Sequence, residues 1–238
     1  MNVKISSVVI IKLFVLQCCI SISFSSSDFD FFYFVQQWPG SYCDTRQSCC
    51  YPTTGKPDED FSIHGLWPNY NTGKWPQNCG SQSSLDRSEI SDLMSRMHKD
   101  WPTLACPTAD GMKFWGHEWD KHGTCTSFDQ HTYFQFALDL KNKANLLQVL
   151  AKSGIRPGNF YGLESIKQAI QEGVGYEPYI DCNVDSEGNH QVFQVYLCVD
   201  KSATKFIRCP ILPHGRACGS RIEFPSFSSD SNSSHKEL

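Results

Sequence analysis

The sequence predicts an α+β fold: a central antiparallel β-sheet packed by several helices and cross-linked by about five disulfides. Three observations lead there. Aromatic and β-branched segments of strand period stand at both ends of the chain, with helix-period segments between them, the order expected of an antiparallel sheet with segregated helices. Ten of the twelve cysteines follow residue 40, an even number that pairs without remainder. A chain of 238 residues with 40% hydrophobic composition suits one domain with a substantial core.

The N-terminus stands apart from that domain. Lys4 supplies a positive start, Val8 to Leu16 form an apolar run broken only by Lys12, and small residues follow at Ser21, Ser23 and Ser25. This order reads as a secretory signal peptide over residues 1–25, cleaved between Ser23 and Ser27. The run is too short for an uncleaved membrane anchor. Residues 26–225 are expected to form the folded domain. From Ser226 the chain turns Ser-rich and polar (SFSSDSNSSHKEL), which predicts a disordered tail over 226–238.

Elements follow in order. Asp28 to Gln37 (DFDFFYFVQQ) predicts a buried first strand, and Cys43 to Asp60, rich in Pro, Gly and Cys, a stapled loop. Asp86 with Glu89 three residues later marks a helix start, and Ile90, Leu93, Met94 and Met97 supply its apolar face. Phe114 to Gly123 predicts a short helix closed by glycine, Tyr133 to Leu150 a longer one, and Glu164 to Glu172 another. The period then changes. Tyr179 to Val184, Gln191 to Val199 and Lys205 to Ile211 predict strands, the first two joined by a turn at Asp185 to Gly188.

Charge narrows the function classes. The net charge is −4, and loss of Lys4 and Lys12 with the signal makes the remainder more acidic. A general coater of nucleic acid is strongly basic, so this chain can hold a polyanion only locally, in one concave site. Fewer ionised carboxylates mean less repulsion, which favours mildly acidic conditions. The Cys and His spacings contain no Cys-x-x-Cys pair and no knuckle, so zinc is not indicated.

The segment FWGHEWDKHGTC carries the most chemistry. On a helix, Phe114, His117, Glu118, Lys121 and His122 fall within an arc of roughly 140°. A core stripe would not gather so many titratable groups, because burying unpaired charge is costly. A solvated face would not be flanked by Trp115 and Trp119. His117-Glu118 opens like a zinc-peptidase helix, but the second histidine is five positions on, and Lys121 occupies the ligand position. A second segment, FSIHGLWP, places His64 at a strand end before Gly65, which permits a sharp change of direction. Alone, His64 would be ordinary; with His122 it makes the two groups that acid–base cleavage needs.

These two segments resemble the active-site segments of the T-two family of acid ribonucleases, and among them the plant S-like enzymes. The resemblance runs from about Asp28 to Phe227 and includes the cysteine pattern. It implies an endoribonuclease acting on single-stranded RNA, with no cofactor and no metal, through a 2′,3′-cyclic phosphate to 3′-phosphate products. It implies His122 as general base toward the ribose 2′-OH and His64 as general acid toward the departing 5′-oxygen. His117, Glu118 and Lys121 would hold the phosphate and offset its developing charge. Gln37, Trp67, Leu104 and Phe114 would form the base-binding pockets, by aromatic stacking above all. The implied disulfides are Cys43–Cys49, Cys50–Cys106, Cys79–Cys125, Cys182–Cys218 and Cys198–Cys209.

Two competing readings remain: a catalytically silent storage or recognition protein, and a secreted binding module such as a lectin or inhibitor. The first would lose a histidine, and the second does not account for Glu118 and Lys121 beside two histidines. A monomer is expected, acting on RNA and not on DNA, with no membrane association after signal removal. The terminus His235-Lys236-Glu237-Leu238 resembles a retrieval signal with Lys in place of Asp, so the secretory pathway ends outside the cell, in the endoplasmic reticulum or in a vacuole. Asn232 opens the sole glycosylation sequon.

Overall fold

A computed structural model describes residues 29–46, 49–80 and 84–227. The expected signal peptide, Asn232 and the terminus His235 to Leu238 lie outside the described residues. The described fold is α+β. Seven strands form one sheet: β1 (Phe31–Gln37), β2 (Ser62–Asn69), β3 (Asn159–Gly162), β4 (Tyr179–Val184), β5 (His190–Val199), β6 (Phe206–Ile207) and β7 (Arg221–Phe224). Their order is β2-β1-β5-β7-β3, with β4 and β6 also pairing to β5. All pairings are antiparallel except a parallel contact of β5 with β7 at Gln191 and Glu223. Six helices accompany it: α1 (Pro39–Cys43), α2 (Met94–Asp100), α3 (Met112–Lys121), α4 (Gln130–Lys143), α5 (Leu146–Lys152) and α6 (Leu163–Val174).

The first strand is buried along its whole length, as its apolar run requires. Alternation sends its residues to two cores. Phe32 and Phe34 join the large core with Trp115, Tyr133 and Phe134 from the helices and with Trp101, which follows α2. Phe31, Tyr33 and Val35 face a smaller cluster with Cys198, against which Trp67, Tyr196 and Ile211 pack. The polar site lies beside this second cluster.

All five disulfides have the pairing the resemblance implied. Several expectations need correction. The helix over Tyr133 to Leu150 is two helices. The chain leaves helical geometry at Ala144, and the Asn145 side chain caps α5 by accepting from the Gln148 N–H. The last strand shrinks from Lys205–Ile211 to Phe206–Ile207, since Cys209 is tied to Cys198 and Pro210 has no N–H to offer a ladder. The Asp86 helix opens as a 3-10 segment (Arg87–Leu93) capped by the Asp86 carboxylate before α2 begins. Strands β3 and β7 and helix α1 have no counterpart in the sequence pattern; each has only four or five residues, too few for a period to show. Phe227, assigned to the polar tail, is buried, and its N–H donates to Glu59. The packed domain therefore runs to that residue.

Candidate active site

Strand β2 does not stop at His64. Val35 faces Gly65 and Gln36 faces Ile63, so His64 is the extra residue of a β-bulge and has no partner on β1. A bulge re-aims the side chain it carries. The expected break at Gly65 is thus a bulge, and the glycine serves a different purpose there. A Cβ on Gly65 would collide with the Trp67 indole nitrogen and the Glu118 carboxylate. Only a bare backbone lets those two side chains meet over it.

Three tryptophans set the site's frame. Trp115 donates to the Trp101 carbonyl at 2.8 Å, and Trp101 donates to the His64 carbonyl at 3.1 Å. Helix α3 is thereby fastened to the bulge. Trp67 lies between the two histidines. Its ring meets His64 edge-on at 5.0 Å and stacks on His122 at 5.3 Å with 26° between planes. The imidazoles therefore lie no farther apart than two ring contacts. The Trp67 indole N–H also donates to Glu118 Oε2 at 2.8 Å.

Helix α3 ends at Lys121, one residue before His122. His122 is its C-cap, with φ −118° and ψ −48°, and its N–H donates to the Glu118 carbonyl. Gly123 follows because a Cβ there would strike the Trp119 ring. Glu118 is 2% exposed and His122 6%, while Lys121 is partly buried and His117 exposed. The single face expected from sequence is therefore graded, from solvent at His117 to the interior at Glu118. His122 Nδ1 is buried with no hydrogen-bond partner.

On the other side, Gln194 Nε2 lies 2.7 Å from His64 Nδ1, and Tyr196 donates its hydroxyl to Gln194 Oε1 at 2.9 Å. With that oxygen occupied, the amide presents its NH2 group to the imidazole. Nδ1 then accepts, and the proton of the neutral ring sits on Nε2. Neither Gln194 nor Tyr196 stands out in the sequence. The signal was a Gln two positions from a Tyr, alternating with Val195 and Leu197 in the apolar second half of the strand.

Burial dominates the electrostatics. It lowers His64 to about 4 and His122 to about 3, helped by repulsion from Lys121 and His117. Burial raises Glu118 to about 7, against the opposing Trp67 hydrogen bond and the Lys121 charge. The cluster holds depressed imidazoles beside an elevated carboxyl, a pattern that marks functional sites.

The other expected residues divide. Phe114 meets His64 at 6.0 Å, which places it in the cluster. Gln37 is buried on β1 and is the cross-strand partner of Gln194. Leu104 is a buried residue whose carbonyl accepts from the Cys50 N–H. Trp75 carries no signal in its local sequence. It is 56% exposed on a loop fastened to α3 by the Asn78 N–H to Lys121 carbonyl bond and the Cys79–Cys125 disulfide. Among the described residues no group of three or more His, Cys, Asp or Glu side chains is arranged to hold a metal ion.

Comparison with known proteins gives this arrangement its class. The family model described as Ribonuclease T2 family matches residues 29–209. The protein is an endoribonuclease by class, and the chain belongs to the Ribonuclease T2 family. It is 68% identical to Intracellular ribonuclease LX of Solanum lycopersicum, over 96% of this chain and 97% of that one. It is 57% identical to Ribonuclease 1 of Arabidopsis thaliana, over 95% of this chain and all of the relative. Among solved structures it resembles RNase NT in complex with 5′-AMP, at TM-score 0.83 and 70% identity, over 84% of this chain and all of that one.

Proposed function

We propose that this protein cleaves single-stranded RNA by metal-free transphosphorylation between His122 and His64. The observation that carries the reading is the shared Trp67 ring, which holds both imidazoles at one cleft. His122, neutral through burial, accepts the proton of the ribose 2′-OH. The 2′-oxygen attacks phosphorus and the bond to the 5′-oxygen breaks. His64, as imidazolium, donates its Nε2 proton to that leaving oxygen. The product is a 2′,3′-cyclic phosphate, and water opens it to a 3′-phosphate with the two histidines in exchanged roles.

Burial above all, and repulsion from Lys121 and His117, keep His64 neutral; the anionic phosphodiester opposes both, so binding substrate favours the protonated acid. Lys121 and His117 meet the charge that grows on the phosphoryl oxygens. Glu118, protonated below about pH 7, donates a hydrogen bond there without adding negative charge. Phe114 and the exposed Trp75 offer aromatic faces to unpaired bases, and Gln37 and Leu104 complete the base-binding set. DNA has no 2′-OH and is not cut. The protein acts as a monomer within the secretory pathway, outside the cell or, through its retrieval-like terminus, in the endoplasmic reticulum or a vacuole. The five disulfides support an oxidising compartment.

The test is cleavage of an RNA oligomer in excess EDTA, with products resolved over time, beside His122→Ala and His64→Ala. Cyclic phosphate ends appear first, 3′-phosphate ends later, and each variant loses about 100-fold or more. Dependence on added metal, or 5′-phosphate ends, contradicts the mechanism.

A further inference from the structure

A groove of about 640 Å³ opens between the loop after α1 and the β4–β5 hairpin. It presents two guanidinium groups, Arg46 and Arg216, with the rings of Tyr42 and Phe193 on its wall. We propose that it holds a further nucleotide of the bound RNA, beyond the two that flank the broken bond. Arg216 would stack the base and Arg46 would meet the phosphate. The proposal rests on the ribonuclease reading above and extends its substrate.

Arg216 is held in place from two sides. Asp181 accepts from both its backbone N–H and its Nη2, the latter at 3.3 Å. The Asp181 side chain is 9% exposed, while that of Arg216 is 61% exposed. The guanidinium lies over the Phe193 ring at 5.0 Å. One edge and one face of the plane are thus engaged, and much of the side chain remains in solvent. A fixed guanidinium plane is a standard platform for an unpaired base. Phe193 is in position because it is the unpaired residue where the β4–β5 register shifts between Asp181 and Cys182.

A short chain of neighbouring residues links the groove to His64. Asp181 is the cross-strand partner of Gln194, at the ordinary strand spacing of about 5 Å. Gln194 in turn is bonded to His64. Tyr42 stands a few residues beyond Gln37 and stacks loosely on Phe193, 6.3 Å between centroids. Arg216 is therefore linked to His64 through two intervening residues, Asp181 and Gln194. Two acids share the groove. Asp185 commits its carboxylate to the Glu187 and Asn189 N–H groups and the Asn189 amide, closing the hairpin turn. Glu187 is exposed and offsets part of the positive charge. The site is accordingly a stacking and hydrogen-bonding one, and only weakly a charge trap.

Binding of 2′-deoxy oligonucleotides, a dinucleotide and a hexanucleotide, measured by fluorescence anisotropy, tests this. The variants are Arg46→Ala, Arg216→Lys and the double variant; the lysine would keep a cation beside Asp181 without the guanidinium plane. The double variant should bind the hexanucleotide about tenfold more weakly and the dinucleotide as well as the parent does. The salt slope for the hexanucleotide should shrink by about 0.7 for each phosphate that the protein no longer neutralises. Equal weakening for both lengths, or no weakening for the hexanucleotide, overturns the proposal. Cleavage of a ribodinucleotide by the parent is scored separately: its absence defeats the catalytic reading, and the length dependence of binding still decides the groove.

Discussion

Gln194 reaches His64 through Nε2 rather than Oε1, because Tyr196 already donates to that oxygen. The pair Gln194 and His64 therefore settles which imidazole nitrogen carries the proton of the neutral ring. The imidazolium requires the amide to rotate and accept through Oε1, a bond that opposes the depression caused by burial. Replacing the amide by an acceptor removes that rotation. In Gln194→Glu the carboxylate bonds Nδ1–H directly and raises His64 from about 4. Activity needs His64 protonated, so kcat/KM falls as pH rises past its pKa, and the variant's limb moves to higher pH by about one unit or more. Tyr196→Phe frees the amide and moves the limb the same way, by less. A pH profile of kcat/KM unmoved in both variants would remove His64 from the role of acid.

Glu118 links stability to pH. Its folded value, raised to about 7 by burial, lies above the ordinary 4.5. A raised carboxyl favours the folded state fully below pH 4.5, and that advantage is lost as pH climbs through 7. Glu118→Gln has no such loss. It should match the parent near pH 4 and exceed it at about pH 8.5 by on the order of 2 kcal/mol in urea unfolding. An equal difference at both pH values would show that burial of the carboxylate carries no penalty.

Gly65→Ala tests the close approach over the bulge. The new Cβ must displace Trp67 or Glu118. The expected cost is about 1–3 kcal/mol of stability and roughly 100-fold in kcat, since small misplacements of reacting groups are costly. Near-parent kcat with an unchanged melting temperature would mean that the Trp67–Glu118 contact has no bearing on geometry.

Trp75 should behave in the opposite manner. Exposed as it is, Trp75→Ala leaves the melting temperature within a degree or two. Loss of one stacked base raises KM for RNA about tenfold, and Trp75→Phe restores most of it. A tenfold change in kcat with KM intact would assign the residue elsewhere.

Strong periodicity made much of the scaffold legible in advance. The run at Phe31 to Gln37, the strand at Tyr179 to Val184 and the helix at Glu164 to Glu172 all lie where the sequence placed them. Short elements did not announce themselves. β3 and β7 carry four residues each, and the stop at Ala144 is a local change of backbone angle inside a helix-period run. In the site, residues within one segment were readable because a helix maps spacing to direction. The spacing of His117, Glu118 and Lys121 showed their shared side of α3, while their graded burial came only from packing. His122 needed more, since it caps the helix instead of lying on it.

By itself, then, the sequence determined the α+β class and, through its two histidine segments, the chemistry to expect. Composition and the period of side-chain polarity are local properties, and they survive as one-dimensional information. Tertiary structure alone decided the bulge that aims His64, the Trp67 ring between the imidazoles, and the Tyr196–Gln194 relay. The bulge needs β1 beside β2, the Trp67 ring reaches His122 at the end of α3, and the relay on β5 reaches His64 on β2. Such contacts depend on register and chain crossing, which no short-range pattern encodes.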